Sequence, residues 1–84
     1  MLFLIISSPH PSRPSDVKRA RSKFREWIEG LRSQGKVLFF YPIVGRGSAV
    51  GLDVSSNDEL HELMTQWSDI IPVSFDIYPL TKSV

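Results

Sequence analysis

The segment Val37-Leu38-Phe39-Phe40-Tyr41-Pro42-Ile43-Val44-Gly45-Arg46-Gly47-Ser48-Ala49-Val50-Gly51-Leu52-Asp53-Val54 contains the hairpin around which the rest of the chain must be arranged. Two runs of mostly apolar residues flank Gly45-Arg46-Gly47. The pattern predicts two strands, Val37–Val44 and Ser48–Val54, joined by a turn.

On the N-terminal side, Leu2-Phe3-Leu4-Ile5-Ile6 has strand character. The segment 7–14 follows it, a loop that three prolines should keep from forming helix or strand. Ser15 is a helix cap, with Asp16 placing negative charge in the first turn, where the helix dipole favours it. Val17, Ala20, Phe24, Trp27, Ile28 and Leu31 recur at three- and four-residue spacing, one apolar face of a helix that Gly35 ends. On the C-terminal side, Ser56 and Glu59 form a capping box for a helix whose Leu60, Leu63, Met64 and Trp67 share a face. Val73, Phe75 and Ile77 then alternate with Ser74, Asp76 and Tyr78 in a last strand.

The order is strand, helix, strand, strand, helix, strand. This is the α+β, ferredoxin-like βαββαβ pattern, an antiparallel sheet of order 4-1-3-2 with two helices on one face. Proline cannot donate to a strand ladder and belongs on sheet edges or strand ends. Pro42 falls in the second strand, Pro72 and Pro79 at the ends of the fourth, and the first and third strands have none. The two proline-bearing strands are the edges of that order. The first strand is apolar on both faces, Leu2, Leu4 and Ile6 against Phe3 and Ile5, and such a strand needs cover on both sides. The helices cover one side, so a second subunit's sheet is expected on the other.

Bulk properties agree. The 84 residues make one domain, 1–84, with no internal repeat. A domain of this size buries only about 60% of its unfolded surface, so it calls for disulfides, a metal or a partner subunit. There is no cysteine, and His10 and His61 lack ligand spacing, which leaves a homodimer or higher homo-oligomer. A net charge of +1 points to neither nucleic acid nor an anionic membrane. Met1–Ile6 is too short for a signal segment and no run reaches the length of a membrane span, so a cytoplasmic protein is expected.

Ser56-Asn57-Asp58-Glu59-Leu60-His61-Glu62-Leu63-Met64 is very similar to the second-helix segment of the muconolactone isomerase family. Met1-Leu2-Phe3-Leu4 resembles that family's opening strand and Val44-Gly45-Arg46 its central turn. Asp53-Val54 stands before the helix as in the family, and Asp76-Ile77 with Pro79-Leu80 closes the domain in a similar way. The resemblance spans nearly the whole chain. It implies a dimeric α/β barrel assembled into a larger oligomer, a pocket between sheet and helices, and proton transfer in a small lactone acid without metal or cofactor. Several family positions differ here. A lysine followed three residues later by a glutamate becomes Arg21 and Phe24, and a His-x-x-Arg in the second strand becomes Phe39-Phe40-Tyr41-Pro42. The turn is one residue shorter, with Gly47 in place of an aromatic, and the C-terminal extension is reduced to Thr81-Lys82-Ser83-Val84.

A cofactor-free isomerase needs a base near the acidic carbon and a cation for the substrate's acid group. Lys18, Arg19, Arg21, Lys23 and Arg25 crowd the start of the first helix. Most read as a solvated basic face, but Arg21 borders the buried face and aligns with the family lysine, making it a candidate carboxylate anchor. Arg46 in its Gly-Arg-Gly turn is a second. Phe24, Trp27 and Phe39 are candidate walls of an apolar pocket, or core residues. Tyr41 has a hydroxyl that could donate to a carbonyl or enolate. Asp53 and Asp76 are candidate bases, and ordinary surface carboxylates otherwise. His61 lies on the polar side of its helix, while His10 sits in the proline-rich loop, where it could close over a pocket.

The leading reading is a small cofactor-independent isomerase or cyclase acting by proton transfer on a partly apolar carboxylate or lactone, with an aromatic-lined pocket suited to a body larger and flatter than muconolactone. A non-catalytic ligand-binding or accessory protein is the second reading, motivated by the replaced acid. A cofactor-free monooxygenase is the third, on fold analogy alone.

Overall fold

The computed structural model describes residues 1–11 and 14–82. Six elements follow in chain order: β1 (Leu2–Pro9), α1 (Pro14–Ser33), β2 (Val37–Pro42), β3 (Ser48–Asp53), α2 (Asn57–Ile70) and β4 (Val73–Leu80). They form one antiparallel sheet of order β2-β3-β1-β4, the expected ferredoxin-like order. Pro42 and Pro79 stand in edge strands, where a missing N–H need break no ladder.

Both helices cover one sheet face. Phe3 and Ile5 of β1 and Val50 and Leu52 of β3 meet Ile28 and Leu31 of α1 and Leu60, Leu63, Met64 and Trp67 of α2. Trp67 organises an aromatic cluster, its ring centroid 5.0 Å from Phe24 and 4.9 Å from Phe75. The first helix ends where Gly35 adopts φ 77°, which lets the Lys36 amide reach back to the Leu31 carbonyl at 3.1 Å. Ser56 caps α2 by accepting from the Glu59 amide at 3.1 Å. The Glu59 carboxylate in turn takes the Ser55 amide, also at 3.1 Å, and lies 3.5 Å from Lys36.

Strand alternation puts Leu2, Leu4 and Ile6 of β1 on the opposite, bare face. Phe39 joins them there, since it packs over Gly51, whose neighbours Val50 and Leu52 point into the core. Tyr41, stacked on Phe39 at 5.7 Å, and Tyr78 are exposed on the same face.

Several element boundaries differ from those read in the sequence. β1 continues to Pro9 rather than ending at Ile6, because Ser7, Ser8 and Pro9 still pair with Phe75, Ser74 and Val73 of β4. Beyond Ser7 the β3 partner has ended, so Pro9 faces no ladder on that side and its missing N–H costs nothing. α1 begins at Pro14 instead of being capped by Ser15; proline's fixed φ suits a first helical position. β2 stops at Pro42, two residues early, and Ile43–Gly47 form the turn, closed by the Ile43 amide donating to the Gly47 carbonyl at 2.9 Å. Val44, expected in the strand, is at the tip and 99% exposed.

Candidate active site

At one end of the sheet, the last residues of β1, the β2–β3 turn and the start of β4 lie beneath α1 and the end of α2. They enclose a cleft of about 420 Å³ between helices and sheet. Its construction follows from the helical period. Val17, Arg21, Phe24, Arg25, Ile28 and Glu29 fall on one stripe of α1, so the stripe carries apolar groups toward the sheet and charged groups along its border. Phe40 from β2 and Trp67 from α2 complete the apolar wall, with Phe24 and Phe40 centroids 5.7 Å apart.

The sheet side is polar. Ser7 of β1 and Ser48 of β3 are opposed in register and both buried, with hydroxyl oxygens 2.9 Å apart. The Ser48 amide also donates to Ser7 Oγ at 3.0 Å, so the pair is locked. Gly47 packs against the Ser7 main chain so closely that any Cβ there would collide with the Ser7 carbonyl. Glycine at this position is therefore a requirement of the turn, and the turn carries Arg46 to the cleft, where its Nη2 donates to Ser8 Oγ at 3.0 Å.

Among the described residues, three guanidiniums, Arg21, Arg25 and Arg46, line the cleft with one carboxylate, Glu29. Glu29 is ion-paired to Arg32 at 3.4 Å, whereas none of the three arginines forms an ion pair among the described residues. The cleft thus joins an aromatic wall to uncompensated cationic donors, a combination suited to a small acid with an apolar body. His10 also lines it. Its backbone amide donates to the Pro72 carbonyl at 3.1 Å, and its Nε2 lies 2.7 Å from Ser74 Oγ.

Of the residues singled out in the sequence, the cleft brings together Arg21, Phe24 and Arg46. The other five stand elsewhere. Asp53 ends β3 beside the chain's amino terminus, 3.4 Å from that ammonium group. Asp76, Tyr41 and Phe39 belong to the bare face, where strand alternation turns them away from the helices. Trp27 packs near Trp67, 5.9 Å between centroids, while its Nε1 donates to Gln66 Oε1 at 2.9 Å outside the cleft. Ser7, Ser48, Arg25 and His10 are cleft residues that spacing alone did not single out. The signal for them is topological: once strands one and three are neighbours, the end of one and the start of the other must meet beside the turn. Among the described residues, no cluster of His, Cys, Asp and Glu could hold a metal ion, and no helix is long and apolar enough to cross a membrane.

A four-stranded βαββαβ sheet with one bare apolar face and a cleft under its helices defines a ferredoxin-like domain of the dimeric α/β-barrel class. The family model for muconolactone delta-isomerase matches residues 1–82, and the chain belongs to that family. Membership supports an isomerase-like enzyme of small molecules. Among curated proteins, none matches the chain.

Proposed function

We propose that the chain is a cofactor-independent isomerase that shifts a proton within a small, partly apolar carboxylate or lactone bound in the cleft, working as a homo-oligomer in the cytoplasm. The observation that carries this reading is the set of guanidiniums that form no ion pair among the described residues, Arg21 and Arg46 foremost, beside the Phe24–Phe40 wall. The guanidiniums anchor the acid group and the aromatic wall holds the body, so that a carbon next to the carbonyl is presented to the polar sheet side. Phe24, standing where the family has an acid, offers an apolar ring face against which a flat body can pack.

A binding protein without chemistry is the second reading. It is favoured by the absence of any carboxylate among the described cleft residues besides the ion-paired Glu29.

One experiment separates the two. Benzoate, a flat carboxylate probe, is titrated against tryptophan fluorescence, since Trp67 lines the cleft. In parallel, the protein is incubated in heavy water with muconolactone and with an analogue bearing a phenyl group, and deuterium incorporation is followed by NMR. Benzoate binding with protein-dependent deuteration supports the isomerase. Binding without deuteration of either lactone supports the binding protein.

A further inference from the structure

The cleft contains a group able to move protons that the family resemblance does not supply. We infer that His10 is the proton-transfer group of this site, an inference that rests on the isomerase reading above.

Among the described residues, the titratable and charged groups lining the cleft are His10, Arg21, Arg25 and Glu29 on the side of β1 and α1, and Arg46 from the turn; Trp67 of α2 and Val73 of β4 bring none. Guanidiniums stay protonated throughout the working range and cannot act as bases. Glu29 is exposed and held by Arg32 at 3.4 Å. Asp53, Asp76 and Tyr41 are not cleft residues. His10 remains, and an imidazole can both accept and donate a proton.

His10 follows the last residue of β1 at the rim of the cleft, and two contacts fix it to the start of β4, through its amide to the Pro72 carbonyl and through Nε2, which lies 2.7 Å from Oγ of Ser74 on the outer side of that strand. A base needs a partner that fixes its tautomer and ring orientation, the role the third group plays in catalytic triads. In the tautomer whose Nε2–H donates to the serine hydroxyl, the lone pair is on Nδ1, which has no hydrogen-bond partner among the described residues. Nδ1 takes the proton from the carbon beside the substrate carbonyl as the C–H electron pair enters the conjugated system. The imidazolium then returns that proton to the far end of the shifted double bond. One C–H bond breaks, one forms, and no electron leaves the substrate.

The test uses the His61→Gln background, in which His10 is the single imidazole and the replaced residue is an exposed one outside the cleft. Benzoate should perturb the His10 ring signals in NMR and protect the ring from acylation by diethyl pyrocarbonate. His10→Gln should slow deuteration of the lactones by about 10²–10⁴-fold and remove one limb of the pH–rate profile, while leaving benzoate affinity within about threefold of its starting value. Ser74→Ala should slow deuteration less, with the limb retained. Deuteration in His10→Gln at the starting rate overturns the inference while leaving the isomerase reading intact. Benzoate binding that neither perturbs nor protects His10 overturns it as well. Deuteration absent even with His10 present overturns both, and loss of deuteration in His10→Gln with no benzoate binding upholds His10 while refuting the arginine anchor.

Discussion

Leu4→Asp tests whether the bare face of the sheet is a subunit interface. Leu4 is at the centre of that face, paired with Gly51 of β3 on one side and Tyr78 of β4 on the other, with Leu2 and Ile6 beside it along the strand. In a free subunit an aspartate there is solvated and touches none of the core beneath. In a face-to-face dimer both copies are buried without a partner, and an uncompensated buried charge costs about 3–5 kcal/mol. Two copies therefore weaken the dimer by at least about 6 kcal/mol, or about 10⁴-fold in dissociation constant, enough to carry a nanomolar dimer into the tens of micromolar. Sedimentation equilibrium at low micromolar concentration should give the wild type at twice the chain mass or more. Leu4→Asp should run as a monomer with its far-ultraviolet circular dichroism retained. Phe3→Asp is the contrast: Phe3 is 7% exposed and packs in the core, so that variant should lose its fold. The sequence pattern points to Phe3 or Ile5 as the residue facing a partner, whereas the structure turns both toward the helices and leaves Leu2, Leu4 and Ile6 on the open face. A monomeric wild type refutes the reasoning, as does a Leu4→Asp variant whose mass matches the wild type.

Arg21→Ala should weaken benzoate by about tenfold to a hundredfold, the worth of one charge-assisted contact, with little effect on the thermal midpoint, whereas Arg19→Ala, exposed and outside the cleft, should bind as wild type. Equal affinities in the two variants would move the anchor to Arg46. Gly47→Ala should cost about 1–3 kcal/mol in urea denaturation, because the new methyl group meets the Ser7 main chain and the turn must shift; an unchanged midpoint would show that the turn yields freely. Muconolactone should turn over far more slowly than the phenyl analogue, since Phe24 stands where the family has its acid, and comparable rates for the two would show that the aromatic wall does not select the substrate.

The fold was legible because several independent rules converge on it. Proline positions marked the edges, three- and four-residue spacing marked the helices, and the Ser56–Glu59 box marked where the second helix starts, as the observed cap shows. Boundaries failed where tertiary pairing overrode local chemistry. Three prolines in 7–14 argue for a loop, yet the pairing of Ser7, Ser8 and Pro9 with β4 extends the strand. At the hairpin the apolar character of Ile43 and Val44 suggested strand, but Gly45 at φ 71° and the tight approach of Gly47 to Ser7 turn the chain earlier.

The site was harder to read, for a physical reason. Periodicity says which face a residue occupies, and on that basis Arg21 and Phe24 could be placed at the border of a buried stripe, where they are found. It does not say which end of a sheet is open. Phe39, Tyr41, Asp53 and Asp76 are polar or aromatic residues on well-defined strands, but their faces and ends lie away from the cleft, so residue type alone could not exclude them. The same ambiguity applied to His10, which belongs to no periodic element, so that its loop suggested a place over a pocket but no spacing could fix it there. It reaches the cleft only because β1 outruns β3 and delivers the following residue to Pro72 and Ser74. The extension of β1 and the recruitment of His10 are thus one structural event. A substitution that frees the end of β1 from β4 should displace the imidazole before it disturbs the Trp67 core, because Ser74 is on the exposed side of β4 and Phe75 alone of that pair packs against Trp67.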